Sequence, residues 1–368
     1  MGAGSRGAAF HHALSLVRGY RSVSTLGGDA AGGAAGRSML VAHVQVSEGR
    51  DLDVLSDLVK ASESGGGSSP RVLDSYVSES ANKSSYTLGG PAEGLAGGVL
   101  RMCREALDRV EWNQSRGGAS HPRTGVVDVV TVHPIPGCSR SGGMDDAVGV
   151  ARKVGEELAH GGKGKLQVPV YLFGEASATK RDLSSIRRSL GFFKRGYLGF
   201  GWCGTTGKRA VPALTPAGWA PDEAPGLPGP GGAFPIHSAL GVALVGALPF
   251  SMYLNIPLCT NDYTVASAIC KAVSEKGGGL PGVNALALPG PDGVLEVSCI
   301  LRDPTGDNGG AMSADVEVLV AQLAEQAGLK PGARPPYFAG ERGPGALTDA
   351  LRIAFPEGEG RGASLSEV

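Results

Sequence analysis

The chain has 368 residues, of which 42% are hydrophobic and 19% are charged, so it can bury one large core or two ordinary ones. Its 34 Lys and Arg residues and 35 Asp and Glu residues leave a net charge of −1, which argues against a basic surface for nucleic acid. The longest apolar run, near residues 238–249, is shorter than the roughly 18–20 residues that cross a bilayer, so we expect no membrane-spanning segment.

The cysteines and histidines do not form a recognisable framework. None of the six cysteines is part of a CxxC pair, and a chain of this size does not need disulfides to fold. The seven histidines lack the close spacing of metal ligands. We therefore expect thiols in a reducing compartment and no bound metal.

Residues 1–38 have the composition of a targeting segment. They contain four arginines and one acid, and Phe10, Leu14 and Val17 follow a helical spacing beside basic residues. This pattern predicts an organelle transit peptide that ends in a flexible spacer over residues 27–37. Arg18-Gly19-Tyr20 resembles a mitochondrial processing site, which favours the mitochondrion over the plastid. A disordered N-terminal extension is the alternative.

The next segment, residues 39–177, predicts a first α+β subdomain. Hydrophobic periodicity gives a strand over 39–46, a helix over 51–61, strands over 72–77 and 84–88, a helix over 91–110 and a strand over 126–132. This order is the βαββαβ pattern of ferredoxin-like domains. A helix over 144–160 and a strand over 168–173 complete the subdomain.

A similar order recurs in residues 236–332, after a connecting helix and a Gly/Pro-rich loop over 178–235. Strands are predicted over 250–256, 283–288 and 294–301, and helices over 262–276 and 314–327. We predict a Pro/Gly-rich tail over 333–368 that is disordered beyond residue 357. The predicted fold is thus α+β, with two ferredoxin-like subdomains and a ligand-binding cleft between them.

Two short polar motifs could carry chemistry. His121-Pro122-Arg123 ends a glycine-rich segment just before a buried strand, where an imidazole can transfer protons and Arg123 can bind a carboxylate. The alternative is a surface loop that caps the strand. Lys83, after Asn82, could bind an anion, or it could be an ordinary exposed lysine of a turn. Glycine-rich phosphate loops are absent from the sequence, which disfavours nucleotide binding.

From about residue 39 to residue 329, the chain resembles the formiminotransferase domain of formiminotransferase–cyclodeaminase and of stand-alone glutamate formimidoyltransferases. From the chain length we expect a stand-alone relative without the cyclodeaminase domain. The motifs that carry the resemblance are Val46-Ser47-Glu48-Gly49, Asp74 with Asn82-Lys83-Ser84-Ser85-Tyr86-Thr87, His121-Pro122-Arg123-Thr124-Gly125 with Asp128, the stretch 168–176, Trp219-Ala220-Pro221-Asp222 and Asn255-Ile256-Pro257-Leu258.

The resemblance implies transfer of a formimino group from N-formiminoglutamate to tetrahydrofolate, the co-substrate, which would lie in the cleft. His121 matches the family's catalytic histidine and would be the general acid and base. Arg123, Asn82 and Lys83 match cleft positions that could hold carboxylates of the folate or of the glutamate-like substrate. A folate-contacting loop maps to residues 225–241, and its best-matched members are Phe234, Pro235 and Gly241. Family members are commonly dimers, so the resemblance allows a homodimer, and membership of a mitochondrial assembly is the alternative.

The chain departs from the family pattern at four positions. Tyr76 replaces an acidic residue that could orient an imidazole, Gln45 replaces an asparagine, Gly117 replaces a second histidine, and Ile300 replaces a polar asparagine. Two hypotheses therefore stay open. The chain is an organellar formiminotransferase, or it is a catalytically silent relative that serves as a subunit of a mitochondrial assembly.

Overall fold

The structure is a computed structural model. It describes residues 38–79, 81–110, 123–135, 143–161, 167–192, 212–216, 218–290, 293–304, 309–330, 334–338 and 344–355. The predicted transit peptide up to residue 37, Gly117, His121 and the predicted disordered residues beyond 357 lie outside these ranges.

The first sheet has six strands in the order β2-β3-β1-β4-β6-β5. Strands β2, β3, β1 and β4 pair with one another in antiparallel fashion, whereas β6 runs parallel to both β4 and β5. Its strands are β1 (Met39–Val46), β2 (Arg71–Ser78), β3 (Lys83–Pro91), β4 (Val127–Pro134), β5 (Val170–Gly174) and β6 (Ala243–Ala247). Four helices accompany it: α1 (Leu52–Glu63), α2 (Ala92–Arg109), α3 (Gly143–His160) and α4 (Leu183–Ser189).

Alternation along β1 separates the two faces of this sheet. Leu40, Ala42 and Val44 belong to the main hydrophobic core, which also contains the buried sides of α1, α2 and α3. Because successive side chains of a strand point to opposite faces, His43 and Gln45 face the other way. The order β1-α1-β2-β3-α2-β4 with β3 between β1 and β2 confirms the ferredoxin-like prediction for this part of the chain.

Strand β6 was not predicted, and it corrects the predicted start of the second subdomain at residue 236. Its five residues lie between β4 and β5 of the first sheet, and all are buried. A parallel strand that is buried on both faces has no polar alternation, so its short apolar sequence lacks the period-2 signal of a strand. The chain therefore leaves the first sheet only after Ala247.

The second sheet has four antiparallel strands in the order β10-β7-β9-β8. They are β7 (Ser251–Pro257), β8 (Val283–Pro289), β9 (Leu295–Arg302) and β10 (Tyr337–Phe338), with helices α5 (Tyr263–Val273) and α6 (Ser313–Gln326). One face, with Leu254, Val297 and Cys299, packs in a second core with Ala266 and Val316 of the two helices. This βαββαβ order confirms the second ferredoxin-like unit.

The segment predicted as a tail is folded where the structure describes it. β10 pairs with β7, and helix α7 (Pro344–Ala354) buries Leu347 and Leu351 in a third core. That core also contains Val41 and Ile135 of the first sheet region and Met252 of β7. The helix was not predicted, because the many prolines and glycines of this segment outweighed the helical spacing of four residues between the two leucines.

The described ranges also bear on the expectations for long apolar helices, clustered metal-ligating side chains and thiols. In these ranges, every helix is too short or too polar to cross a membrane. No group of three or more His, Cys, Asp or Glu side chains there could hold a metal ion. Four cysteines are described as free thiols, of which Cys259 is exposed and three are buried (Cys103, Cys270 and Cys299).

Candidate functional site

The polar faces of the two sheets enclose a cavity of about 150 Å³. On the first sheet, Tyr76, Ser85, Gln45 and Val129 form one row across β2, β3, β1 and β4, because each is paired with the next in the strand register. All four line the cavity, and so does Lys83, which lies two residues before Ser85 on the same face of β3. The first sheet therefore supplies one wall of a cleft.

The second sheet supplies the opposite wall. Asn255, Ser298 and Leu286 are paired across β7, β9 and β8, and all three line the cavity. In the next row, Ile300 is paired with both Tyr253 and Asn284. These side chains alternate with the residues of the second core, so the face that the helices leave uncovered combines polar side chains with Leu286 and Ile300.

Three of the four departures from the family pattern lie in these walls. Gln45 and Tyr76 line the cavity from the first sheet, and Ile300 lines it from the second. Gly117, the fourth, lies outside the described residues. The differences from the family are therefore concentrated on the surface that would contact a ligand.

Four charged residues gather where β1 ends and β3 and β4 begin, and we call them the cation cluster: Lys83, Arg123, Asp128 and Arg187. The Asp128 carboxylate accepts a hydrogen bond from Arg187 Nη2 at 2.8 Å, and both side chains are buried. Arg123, 5% exposed, donates from Nη1 to the backbone oxygens of Ser47 and Asn82 at 3.3 and 3.1 Å. Lys83 and Arg187 line the cavity. The cluster thus contains three cations and one carboxylate.

The surroundings of Lys83 weaken its hold on a proton. Burial lowers its pKa from 10.5 to about 8, Asp128 raises it, and the charges of Arg187 and Arg123 lower it. The residue as a whole is partly exposed and lines the cavity, and the direction follows first from burial of the ammonium, to which the charges of Arg187 and Arg123 add. An anion bound in the cavity would raise this pKa.

A tight backbone contact positions this cluster. Asn82 adopts a positive φ of 46°, which asparagine tolerates better than most residues, and its Oδ1 accepts a hydrogen bond from Gly49 N at 2.9 Å. A Cβ on Gly49 would lie 2.5 Å from Lys83 N, so only glycine lets the loop after β1 approach the β2–β3 turn. The motif Val46-Ser47-Glu48-Gly49 therefore sets the position of Lys83.

The structure brings some predicted site residues together and not others. Asn82, Lys83 and Arg123 meet in or beside the cation cluster, whereas His121 lies outside the described residues. Phe234 and Pro235 are on the loop before β6 and do not line the cavity. Gly241, with φ of 72°, forms a bridge with Gly125, two residues after Arg123.

Sequence reasoning missed Arg187 and a second charged group, which we call the carboxylate clasp: Glu296, Arg334, Tyr337 and Tyr76. Glu296 is 4% exposed and accepts hydrogen bonds from Arg334 Nη2 at 2.9 Å and from Tyr337 OH at 2.8 Å. The Tyr337 ring stacks on Tyr76 of the first sheet, with centroids 6.5 Å apart. The clasp therefore joins β9 and β10 to β2 across one side of the cleft. Arg187 could not be picked out from the sequence, because two adjacent arginines in a helix are typical of a solvent-exposed face.

Comparison with known proteins agrees with this architecture. The model of the formiminotransferase domain, N-terminal subdomain, matches residues 39–226. The chain is 33% identical over 243 residues to a formiminotransferase cyclodeaminase-like protein of Arabidopsis thaliana, covering 66% of this chain and 72% of that protein. It is 26% identical over 243 residues to a glutamate formimidoyltransferase of Streptococcus pyogenes serotype M1, covering 66% and 70%.

A further relative is longer than this chain. The chain is 30% identical over 213 residues to a formimidoyltransferase-cyclodeaminase of Sus scrofa, and this match covers 58% of the chain but 33% of that protein. The matched family model and the two-sheet fold start at the same residue, Met39. The chain belongs to the formiminotransferase family.

Proposed function

We propose that this protein transfers a formimino group from N-formiminoglutamate to N5 of tetrahydrofolate in the cleft between its two sheets. Family membership, the polar cleft and the motif His121-Pro122-Arg123 support this proposal. The observation that carries it is the cation cluster. A formiminoglutamate molecule has two carboxylates, and the cluster has three cations for its single carboxylate.

Arg187 is the member of the cluster best suited to bind a carboxylate. Its Nη2 donates to Asp128, while its buried Nε has no hydrogen-bond partner among the described residues. A buried donor without a partner costs free energy that a ligand acceptor would recover. An Arg guanidinium also matches the planar geometry of a carboxylate.

The proposed chemistry needs one group that both accepts and donates a proton. The N5 lone pair attacks the amidine carbon of formiminoglutamate, and a tetrahedral centre forms. The proton lost from N5 and the proton gained by the leaving glutamate nitrogen can pass through the His121 imidazole, because a histidine side chain can act as both general base and general acid. Collapse of the centre breaks the bond from carbon to the glutamate nitrogen, leaving formimino-tetrahydrofolate and glutamate. His121 is joined to the cation cluster through Arg123, two residues later in the chain.

The size of the cavity limits what it can enclose. About 150 Å³ is well below the roughly 300–1,000 Å³ of pockets that surround a drug-sized ligand. We infer that the cavity takes the reacting part of the folate, the bicyclic pterin ring, while its tail extends outside. Tyr76 and Tyr253 in the walls offer aromatic surface to such a ring.

Turnover by the purified chain tests this function. Formimino-tetrahydrofolate is measured after mixing the chain with tetrahydrofolate and formiminoglutamate, and His121→Asn is expected to lower the rate by about 10²–10⁴. His160→Asn is the matched control. His160 Nε2 lies 2.9 Å from Glu223 Oε2, and neither residue lines the cavity. Absence of turnover in the unsubstituted chain would contradict the proposal.

The altered walls favour a second candidate, a folate-binding or accessory subunit without catalysis. Gln45, Tyr76 and Ile300 change three positions around the cavity, and Tyr76 cannot stabilise an imidazolium as a carboxylate does. This candidate predicts that calorimetry detects tetrahydrofolate binding, whereas the assay for formimino-tetrahydrofolate detects no turnover. It also predicts that the native protein elutes in a large complex. Elution of the native protein from organelle extract as a monomer or dimer would count against the complex.

We also propose a mitochondrial location, on the basis of the arginine-rich, acid-poor residues 1–38. Fusion of these residues to a fluorescent reporter should direct the reporter to mitochondria. Replacing the four arginines by glutamine should leave it in the cytosol, and direction to plastids would contradict the assignment.

A further inference from the structure

We propose that Glu296 binds the amino–amide edge of the pterin ring and so fixes which way the folate lies in the cleft. This inference rests on the proposed function and names the residue that would recognise one end of the co-substrate. The geometry comes from the carboxylate clasp on the second sheet.

Glu296 has a fixed carboxylate in the cavity wall. Glu296 is paired with Pro257 of β7 and with Leu288 of β8 in the strand register. It lines the cavity and is almost completely buried. Arg334 and Tyr337 each hold one of its oxygens. The Arg334 guanidinium also lies over the Tyr337 ring, 5.6 Å from the centroid. A side chain held in this way keeps its orientation when a ligand arrives.

Charge distinguishes Glu296 from the rest of the lining. Among the described residues that line the cavity, it carries the only carboxylate, whereas Lys83 and Arg187 supply the cations from the opposite side. The cavity is therefore polarised, with an acceptor on the second sheet and cations near the first. A ligand that fits both must present N–H donors at one end and anionic groups at the other.

The pterin ring and the formimino donor together have this polarity. The 2-amino group and the N3–H of the ring are parallel donors, and a carboxylate accepts such a pair in a forked geometry. N5 belongs to the other ring of the pterin. A pterin held at its 2-amino edge by Glu296 therefore directs N5 away from Glu296, towards the side where the cation cluster would hold the carboxylates of formiminoglutamate.

The test compares two ligands that differ only at the recognised edge. Calorimetry on the full chain measures the affinity for tetrahydrofolate and for its 2-desamino-2-methyl analogue, in which a methyl group of similar size replaces the donor. We expect the unsubstituted chain to prefer tetrahydrofolate by about 10- to 100-fold, the range for a hydrogen bond to a charged group. In Glu296→Gln, that preference should fall towards unity, because only tetrahydrofolate loses a hydrogen bond from its 2-amino group to the carboxylate. Both compounds keep N3–H, so any loss at that donor weakens them alike.

The ratio of affinities separates recognition from a merely structural role. If Glu296 only anchors Arg334 and β10, Glu296→Gln weakens both ligands equally, which overturns the proposal. Glu275→Gln is the control, because Glu275 forms an exposed pair with Arg302 at 2.6 Å and does not line the cavity. If Glu296→Gln fails to fold, the unsubstituted chain still decides, since equal affinity for the two compounds contradicts the assignment. A chain that binds neither compound contradicts the proposed function itself.

Discussion

Lys83, the first residue of β3, has two properties that bear on its charge. It contributes to the wall of a cavity, and it shares its surroundings with two arginines and a single carboxylate. An ammonium group in such surroundings loses its proton more easily than one in water. Its charge near neutral pH therefore depends on what else occupies the cleft.

The first prediction follows from the Lys83 pKa of about 8. Because the protonated form binds anions, affinity for tetrahydrofolate and formiminoglutamate should be highest below pH 8 and decline as pH rises through 8. Lys83→Arg keeps its charge throughout this range, so its affinity should stay level to pH 9.5. Calorimetry at intervals from pH 6.5 to 9.5 measures both profiles.

Lys276→Arg provides the matched control for that experiment. Lys276 is 72% exposed and lies outside the cavity lining. Its substitution should leave the decline above pH 8 unchanged. A flat profile in the unsubstituted chain would show that Lys83 does not contribute its charge to binding.

The second prediction concerns the buried pair of Asp128 and Arg187. Asp128→Asn removes the only carboxylate of the cation cluster and leaves a buried guanidinium beside two other cations. Breaking a buried pair on one side costs about 3–5 kcal/mol, so the free energy of unfolding should fall by that order. Urea denaturation measures the loss. Glu175→Gln, in an exposed pair with Lys180, is expected to change the midpoint little, and an equal loss in both variants would contradict the argument.

At the scale of elements, helix α7 connects the C-terminal segment to the first sheet. Leu347 and Leu351 are fully buried, and Leu351 packs near Gly89 of β3. No side chain larger than hydrogen would fit at Gly89 without displacing Leu73 or Leu351. Helix α7 is therefore closely packed against β3 of the first sheet.

The third prediction uses two positions of this helix. Leu351→Ala should lower the free energy of unfolding by about 2–5 kcal/mol, because it leaves a cavity in the third core. Ile353→Ala is the control in the same helix, since Ile353 is 55% exposed and buries little apolar surface. Thermal or urea denaturation distinguishes them, and similar stabilities of the two variants would show that α7 is not anchored.

Sequence patterns predicted those elements whose periodicity is local. The bounds of β1 agree with prediction, because β-branched residues and a following Ser-Glu-Gly turn mark it, and the capping carboxylate of Asp51 marks the start of α1. β6 and β10 were missed because one is uniformly apolar and the other is two residues long. Their strand character comes from partners that lie far away in the chain.

The residues of the candidate site also fall into those that a local pattern predicts and those that only the fold reveals. Asn82, Lys83 and Arg123 could be picked out because they belong to short motifs. Arg187 and Glu296 come from an ordinary amphipathic helix and an ordinary strand, and only the fold brings them to one cavity. A strand register has to be known before alternate residues can be assigned to a cleft wall.

At the scale of the whole molecule, two histidines lie at the junction of the sheets. The ring centroids of His43 and His133 are 5.0 Å apart. The His43 ring lies edge-on to Tyr253 and the His133 ring edge-on to Phe250, with a centroid distance of 6.2 Å in each pair. His43 Nδ1 is 3.1 Å from Thr87 Oγ1. Burial lowers the pKa of His43 to about 3, although the nearby charge of Asp74 acts to raise it.

The fourth prediction is loss of stability in mild acid. His43 stays neutral in the folded chain but gains a proton below pH 6.5 once unfolded, so its contribution to stability is present above pH 6.5 and declines towards pH 3. The slope can reach about 1.4 kcal/mol per pH unit. Urea denaturation between pH 7.5 and pH 4.5 should show a shallower decline for His43→Gln than for the unsubstituted chain. His237→Gln, on the exposed loop before β6, should behave like the unsubstituted chain, and an unchanged slope in His43→Gln would contradict the assignment.

Both the β10 pairing and the Tyr76–Tyr337 stack depend on residues that follow the other nine described strands in the chain. Because a ribosome makes the chain from its N-terminus, β7 is made before its partner β10, and the second sheet lacks this edge strand until synthesis has passed Phe338. Tyr337, which lines the cavity and donates to Glu296, is made in the same step. The wall of the cleft is therefore completed only after every other described strand has been made.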